Sequence, residues 1–167
     1  DREFLEFCEL NRDMRLERTA EGDLITMPPT GGETGRLNFK LNVDFGIWSE
    51  RDRTGLGFDS STGFALPDGA KRSPDLAWVK RSRWEALSLR ERKEFVPLCP
   101  DFIVEIRSAS DSLAELQSKM EEYIKNGASL GWLRHPDERQ VSVYRLSAPV
   151  ERLDHPVQVV DLVQQLL

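Results

Sequence analysis

The tightest constraint on this chain is a short run that is apolar except where it should not be. "PDFIVEIRSAS", residues 100–110, reads as a core strand through Phe102, Ile103, Val104 and Ile106, yet Glu105 and Arg107 sit inside it. A charged side chain in a hydrophobic core is costly unless it is paired, hydrogen-bonded or bound to a cation. Any fold available to this chain must set a partner against Glu105.

What flanks the strand sets the fold class. Ser112 and Glu115 have capping-box spacing and open a helix. Leu113, Leu116, Met120, Tyr123 and Ile124 line its apolar face, and Asn126-Gly127 stops it. "SLGWLRH" follows as a strand, Pro136-Asp137 as a turn and "QVSVYRL" as another strand. Upstream, "FLEFCELN" predicts a short amphipathic helix, and "MRLERTAEGDLITMPP" a hairpin turning at Glu21-Gly22-Asp23. The glycine-rich loop "TGGETG" leads into a helix from about Arg36 to Glu50, with Leu37, Leu41, Phe45 and Trp48 on one face. Short strands around Gly57 and Phe64, a turn at Pro67-Asp68-Gly69, the strand "DLAWV" and a short helix within "RWEALSLRER" complete the order. Strands interleaved with a crossover helix predict an α/β domain, a mixed central sheet flanked by helices. At 167 residues, 1–167 is read as one domain, with the N-terminal helix and hairpin as an extension of the core. The tail "VQVVDLVQQLL" is apolar enough to dock on that core.

Composition removes several function classes. The net charge of −6 argues against coating nucleic acid by bulk charge, though not against a local basic groove. "KRSPDLAWVKRSR" gathers Lys71, Arg72, Lys80, Arg81 and Arg83, and such a run reads first as solvated surface. Two cysteines and two histidines supply a zinc site or a Ser-His-Asp enzyme poorly. No apolar run approaches the ~20 residues that span a bilayer, and no signal peptide is visible. The chain starts at Asp1 rather than Met, as a trimmed chain does. This cysteine usage suits a reducing cytoplasm.

Two partners for Glu105 stand open. Arg107, two residues on along the same strand face, is the simplest, as an ion pair. The alternative comes from the four Pro-Asp pairs. Asp68 and Asp137 belong to turns. Asp101 opens the same strand, and four residues at ~3.3 Å each place it roughly 13 Å away, too far to share an ion with Glu105. Asp75 heads "DLAWV", and an adjacent strand can set it beside Glu105. Two such acids repel unless a cation lies between them. Oxygen ligands without local His or Cys suit Mg2+ or Mn2+, with the carbonyl of Ile106 as a third donor. Lys119 lies on the flank of the following helix. A lysine there ordinarily snorkels to solvent, but this flank faces the acids, where an ammonium orients or polarises the attacking water.

The ordered set Pro74-Asp75, Glu105 and a lysine moved onto the next helix resembles the PD-(D/E)XK nuclease superfamily. The pieces "GDLITMPP", "GETGRLNFKL", "PDGAKRSPDLAWV", "PDFIVEIRSASD", "KMEEYIKNGASLGWL" and "VSVYR", over about residues 13–146, resemble the Uma-two family of bacterial restriction endonucleases. The resemblance implies a restriction-endonuclease-like fold, a divalent metal, DNA as substrate and a homodimer, with no membrane. Carried over by position, Asp75 and Glu105 bind metal and Lys119 is the catalytic lysine. Glu33 matches an acid of the family's "PEHG" segment and binds metal directly or through water. The chain departs from the family at Thr34, at Arg107 and Ala109 in "EIRSAS", and at His135 in "WLRHP". Arg107 has two roles open to it: neutralising Glu105 and displacing the metal, or standing in for a lysine that stabilises transition-state charge. Accordingly the leading reading is a metal-dependent endonuclease. Two others stand beside it: an inactive domain of the same fold binding DNA or a protein, and a hydrolase of a smaller phosphate.

Overall fold

The computed structural model describes residues 2–154, so the apolar tail and His155 lie outside it. In chain order the elements are helix α1 (Arg2–Leu10), strands β1 (Arg15–Arg18) and β2 (Leu24–Met27), helix α2 (Gly32–Asp52), and strands β3 (Gly55–Asp59), β4 (Phe64–Ala65), β5 (Lys71–Arg72) and β6 (Leu76–Lys80). Then come the short helix α3 (Arg81–Glu85), β7 (Phe102–Ile106), helix α4 (Leu113–Lys125), β8 (Leu130–His135), β9 (Gln140–Arg145) and β10 (Glu151–Asp154).

The central sheet has six strands in the order β10-β9-β8-β7-β6-β3. β7 and β8, joined by α4, run parallel, and every other pair is antiparallel, so the sheet is mixed as expected. Alternation along the strands feeds two cores. Leu76, Trp78, Phe102, Val104 and Trp132 share a cluster with Leu41, Phe45 and Trp48 of α2. Ala77, Val79, Ile103 and Leu133 share the other with Met120, Tyr123 and Ile124 of α4. All five residues of β7 are buried, so Glu105 lies within the layer under α4.

Three features differ from the sequence expectation. α2 begins at Gly32, four residues before Arg36, and takes in Glu33 and Gly35. Each helical glycine costs up to about 1 kcal/mol, which a 21-residue helix anchored by Leu41, Phe45 and Trp48 absorbs. The hairpin is more than an appendage, because β1 pairs with β5 to build a second, antiparallel sheet in the order β2-β1-β5-β4. Finally, the basic run is not uniformly solvated. Lys80 and Arg81 are exposed, but Lys71 and Arg72 are buried in β5. Arg72 tolerates this because its guanidinium pairs with Glu122 at 2.6 Å and with Glu17 at 3.2 Å.

Asp101 is buried as a structural acid, apart from Glu105's surroundings. Its Oδ2 accepts the Lys80 N–H at 2.9 Å, its Oδ1 pairs with Arg83 at 3.0 Å, and its own N–H donates to the Trp78 carbonyl at 3.0 Å. Removing the carboxylate leaves a part-buried N–H unsatisfied. Asp101→Ala is therefore expected to lower the unfolding free energy by about 1–3 kcal/mol in a urea titration. Divalent-ion affinity should not change, and a loss of that affinity in the variant would contradict this assignment.

Candidate active site

The chain passes between the two sheets more than once, and the last passage bears on the site. β5 belongs to the small sheet and β6 to the large one, and Ser73-Pro74-Asp75 links them. At this joint β1 presents Arg15 and Glu17, two residues apart and so on one strand face. β7 supplies Glu105, and α4 supplies Lys119 with Tyr123 one turn on.

Asp75 sits one step beyond the Leu76–Val104 pair of the antiparallel β6–β7 ladder, which places it opposite Glu105. Residues opposed in this way carry their side chains on the same face, with Cβ atoms about 5 Å apart. Asp75 Oδ2 accepts the Ile106 N–H at 2.8 Å, while Oδ1 takes Asn38 Nδ2 of α2 at 3.4 Å and lies 3.8 Å from Arg15 Nη1. Glu105 Oε1 lies 2.8 Å from Lys119 Nζ and accepts the Tyr123 hydroxyl at 3.2 Å. The same Lys119 ammonium reaches Glu17 Oε1 at 2.9 Å. Glu17 Oε1 also accepts the Ser73 N–H at 2.8 Å, and its Oε2 accepts Arg72 Nη1 at 3.2 Å. Arg72 continues to Glu122 through two hydrogen bonds of 2.6 and 2.9 Å.

Electrostatics separates the acids. Burial alone raises a carboxyl pKa. At Glu17 burial is outweighed by Lys119, the Ser73 N–H and Arg72, so its carboxyl falls below the ordinary range and stays ionised. At Glu105 burial prevails: Lys119 opposes it, Asp75 and Glu17 add repulsion, and the carboxyl is pushed up to about 7. Asp75 is also raised, by burial, against the Ile106 N–H, Lys119 and Arg15. Lys119 is held above the usual lysine range, since Glu105 and Glu17 outweigh its burial, and it keeps its proton. The cluster thus holds four carboxylates, Glu17, Asp75, Glu105 and Glu122, against three cations, Arg15, Arg72 and Lys119. The shortfall falls on Asp75 and Glu105.

Of the residues expected from sequence, Asp75, Glu105, Ile106 and Lys119 come together. The Arg107–Glu105 ion pair does not form. β7 ends at Ile106, so the alternation that would have aligned residues 105 and 107 stops there. Arg107 Nη1 instead meets Glu138 Oε1 at 3.2 Å on the surface. Glu33 also stands apart, exposed in the first turn of α2 and facing Arg36 at 3.4 Å. His135 is taken up within the sheet by Ser142 at 3.0 Å. Sequence reading missed Glu17, Arg72, Tyr123, Arg15 and Asn38. Tyr123 had a readable signal, being four residues from Lys119 on one helical face. Glu17 had none, because its neighbour Leu16 is equally buried and β1 shows no inside-outside alternation.

The donor set fits a hard divalent ion. Asp75 and Glu105 offer carboxylate oxygens. The Ile106 N–H points to Asp75, and on an extended strand the carbonyl of the same residue points to that side too. Among the described residues, no three His, Cys, Asp or Glu side chains are placed to enclose a metal. An ion here would therefore keep water in several positions, as Mg2+ commonly does.

Comparison with known proteins gives the family and a similar fold. The Uma2 (Uma-two) family model, described as "Putative restriction endonuclease", matches residues 1–166. A solved structure, "a putative nuclease belonging to DUF820" from Anabaena variabilis ATCC 29413, is similar with a TM-score of 0.74. The two are 25% identical over 90% of this chain and 84% of that one. No curated protein matches the chain.

The raised Glu105 carboxyl makes stability depend on pH. A group whose pKa is higher folded than unfolded binds protons more tightly in the folded state. Its contribution is complete below its unfolded value near 4.5 and is lost as pH rises through about 7. Metal-free protein should therefore melt at a lower temperature at pH 8 than at pH 5, the loss amounting to at most about 3 kcal/mol. Glu105→Gln should flatten this slope, and Mn2+ should recover the melting temperature at pH 8. A metal-free melt that rises across the interval would exclude the raised Glu105 carboxyl described here.

Proposed function

Since the chain belongs to the Uma2 family of restriction endonucleases, we propose that it is a metal-dependent endonuclease hydrolysing DNA phosphodiester bonds at Asp75 and Glu105. The observation that carries this reading is the pair of acids opposed across β6 and β7 at the joint of the two sheets, with the Lys119 ammonium 2.8 Å from Glu105. Asp75, Glu105 and the Ile106 carbonyl would hold Mg2+ or Mn2+. Once bound, such an ion supplies Lewis-acid stabilisation of the phosphoryl oxygens. Asp75 and Glu105 fix the position at which the scissile phosphate is received. Lys119, kept protonated by its two carboxylates, donates hydrogen bonds toward charge that develops on the phosphate and orients the attacking water. Water's oxygen joins phosphorus, the bond to one ester oxygen breaks, and the departing oxygen takes up a proton. Arg107, paired on the surface rather than with Glu105, can exchange Glu138 for a phosphate at the rim.

One observation favours a second reading. The 2.8 Å Lys119–Glu105 pair would also suit an inactive, self-neutralised domain that binds DNA or a protein. Calorimetric titration with Mn2+ separates the two. The nuclease reading expects micromolar binding that disappears in Glu105→Ala, together with Mn2+-dependent nicking of supercoiled DNA. Absence of binding in the wild type would leave the inactive domain standing.

A homodimer suits the same chemistry, because cutting both strands takes two sites. Phe39, Val43 and Ile47 recur at four-residue intervals on α2 and are 72%, 43% and 51% exposed. Two copies of α2 laid antiparallel about Val43 bring Phe39 onto Ile47 and Arg36 onto Glu50, which joins opposite charges. Val43→Glu is expected to convert a dimer to a monomer in light scattering.

Two substitutions test the assigned roles. Asp75→Asn keeps an acceptor for the Ile106 N–H and removes repulsion at Glu105, so the melting temperature should stay level or rise while nicking is abolished. Marked destabilisation would make Asp75 a structural residue. Arg107→Ala should slow nicking by roughly tenfold and leave Mn2+ affinity unchanged, because Arg107 does not occupy Glu105. Tighter Mn2+ binding in that variant would show that it does.

A further inference from the structure

Lys119 has two carboxylate partners of different kinds. Glu17 is saturated: Oε1 holds the Ser73 N–H and Lys119, and Oε2 holds Arg72, at 2.8, 2.9 and 3.2 Å. It is 1% exposed, and its partners belong to β5, to the inter-sheet link and to α4. Glu105 uses Oε1 alone in its contacts with Lys119 and Tyr123. It also faces Asp75 across the β6–β7 ladder.

We propose that Glu17, from the N-terminal hairpin, is a positioning residue: it anchors the Lys119 ammonium so that Glu105 can exchange Lys119 for a divalent ion without the lysine leaving the site. The inference rests on the metal-dependent reading above. When Glu105 turns to a cation it loses its hold on Lys119. An ammonium with no second partner would then either keep Glu105 for itself or swing to solvent, since lysine stems are flexible. Glu17 closes both routes. It supplies a full countercharge 2.9 Å away, and its own carboxylate is immobilised from two further directions. The hairpin then completes the site, because β1 delivers Glu17 to Lys119 and Arg15 to Asp75 at once.

The test is Mn2+ calorimetry with nicking kinetics on three variants of the full chain. In Glu17→Gln the amide oxygen still accepts the Ser73 N–H but has no charge, so Lys119 falls back on Glu105. Mn2+ affinity should drop by roughly tenfold or more, with kcat reduced and KM for DNA little changed. Glu17→Asp keeps the charge but is one methylene short of holding Ser73 and Lys119 together. It should weaken Mn2+ binding similarly, which a purely long-range effect of charge would not do. Lys119→Met removes the competitor for Glu105 and should tighten Mn2+ binding several-fold while abolishing nicking. Wild-type affinity in Glu17→Asp overturns the anchoring role and leaves the metal site intact. If the Glu17 variants do not fold by circular dichroism, Lys119→Met decides, and unchanged or weaker Mn2+ binding there overturns the proposal. A wild type that binds no Mn2+ overturns this inference and the metal-dependent reading together.

Discussion

One ammonium group stands at the centre of this molecule. Lys119 leaves α4 and contacts Glu105 of the large sheet at 2.8 Å and Glu17 of the small sheet at 2.9 Å. No apolar contact could make the same connection, because both carboxylates are buried and each would be prohibitive alone. The helix, the two sheets and the Ser73–Asp75 link are held in register by this contact and by Arg72, which bridges Glu17 to Glu122. A network of this kind is stabilising only when every member is satisfied. Glu17 stays ionised under its contacts, whereas burial raises the carboxyls of Asp75 and Glu105.

In the proposed function these two acids are the site. Folding has gathered more buried negative charge than the surrounding cations neutralise, and the excess lies on two acids opposed across neighbouring strands. Side chains kept for packing alone would not be arranged so, since two apolar residues of similar volume would serve the fold better. The pair lies beside α4, the helix that follows the acid-bearing strand β7. Solvent reaches the cluster at Arg15, 35% exposed, and at Asp75 and Glu122, each 17% exposed.

The Pro-Asp pairs show how little a dipeptide says by itself. Asp68 closes a turn by accepting the Ala70 N–H at 3.0 Å and is held by Asn126. Asp101 ties Lys80 and Arg83 at the other end of β7. Asp75 has similar bonding capacity and is partly buried, yet it lies opposite Glu105. Its chemistry is set by that neighbour.

The sequence by itself determined the elements and the reason for a site. The run Phe102–Ile106 had to be a strand, because it is apolar but for Glu105 and bounded by turn signals. Glu105 had to have a partner, because a lone charge there is too costly. Spacing along one strand was enough to separate Asp101 from Glu105, and helical periodicity placed Lys119 on the correct flank. What only the tertiary structure decided was which charges meet. Arg107 lay nearest in sequence and turned outward to Glu138, because the strand ends before it. Glu17 lies 102 positions from Lys119 and became one of its two carboxylate partners. Such a contact depends on how β1 pairs with β5 and on how the chain crosses from one sheet to the other. No periodicity within either segment encodes it. Local pattern reports which face of an element is buried, whereas an ion pair across two sheets depends on the packing of both.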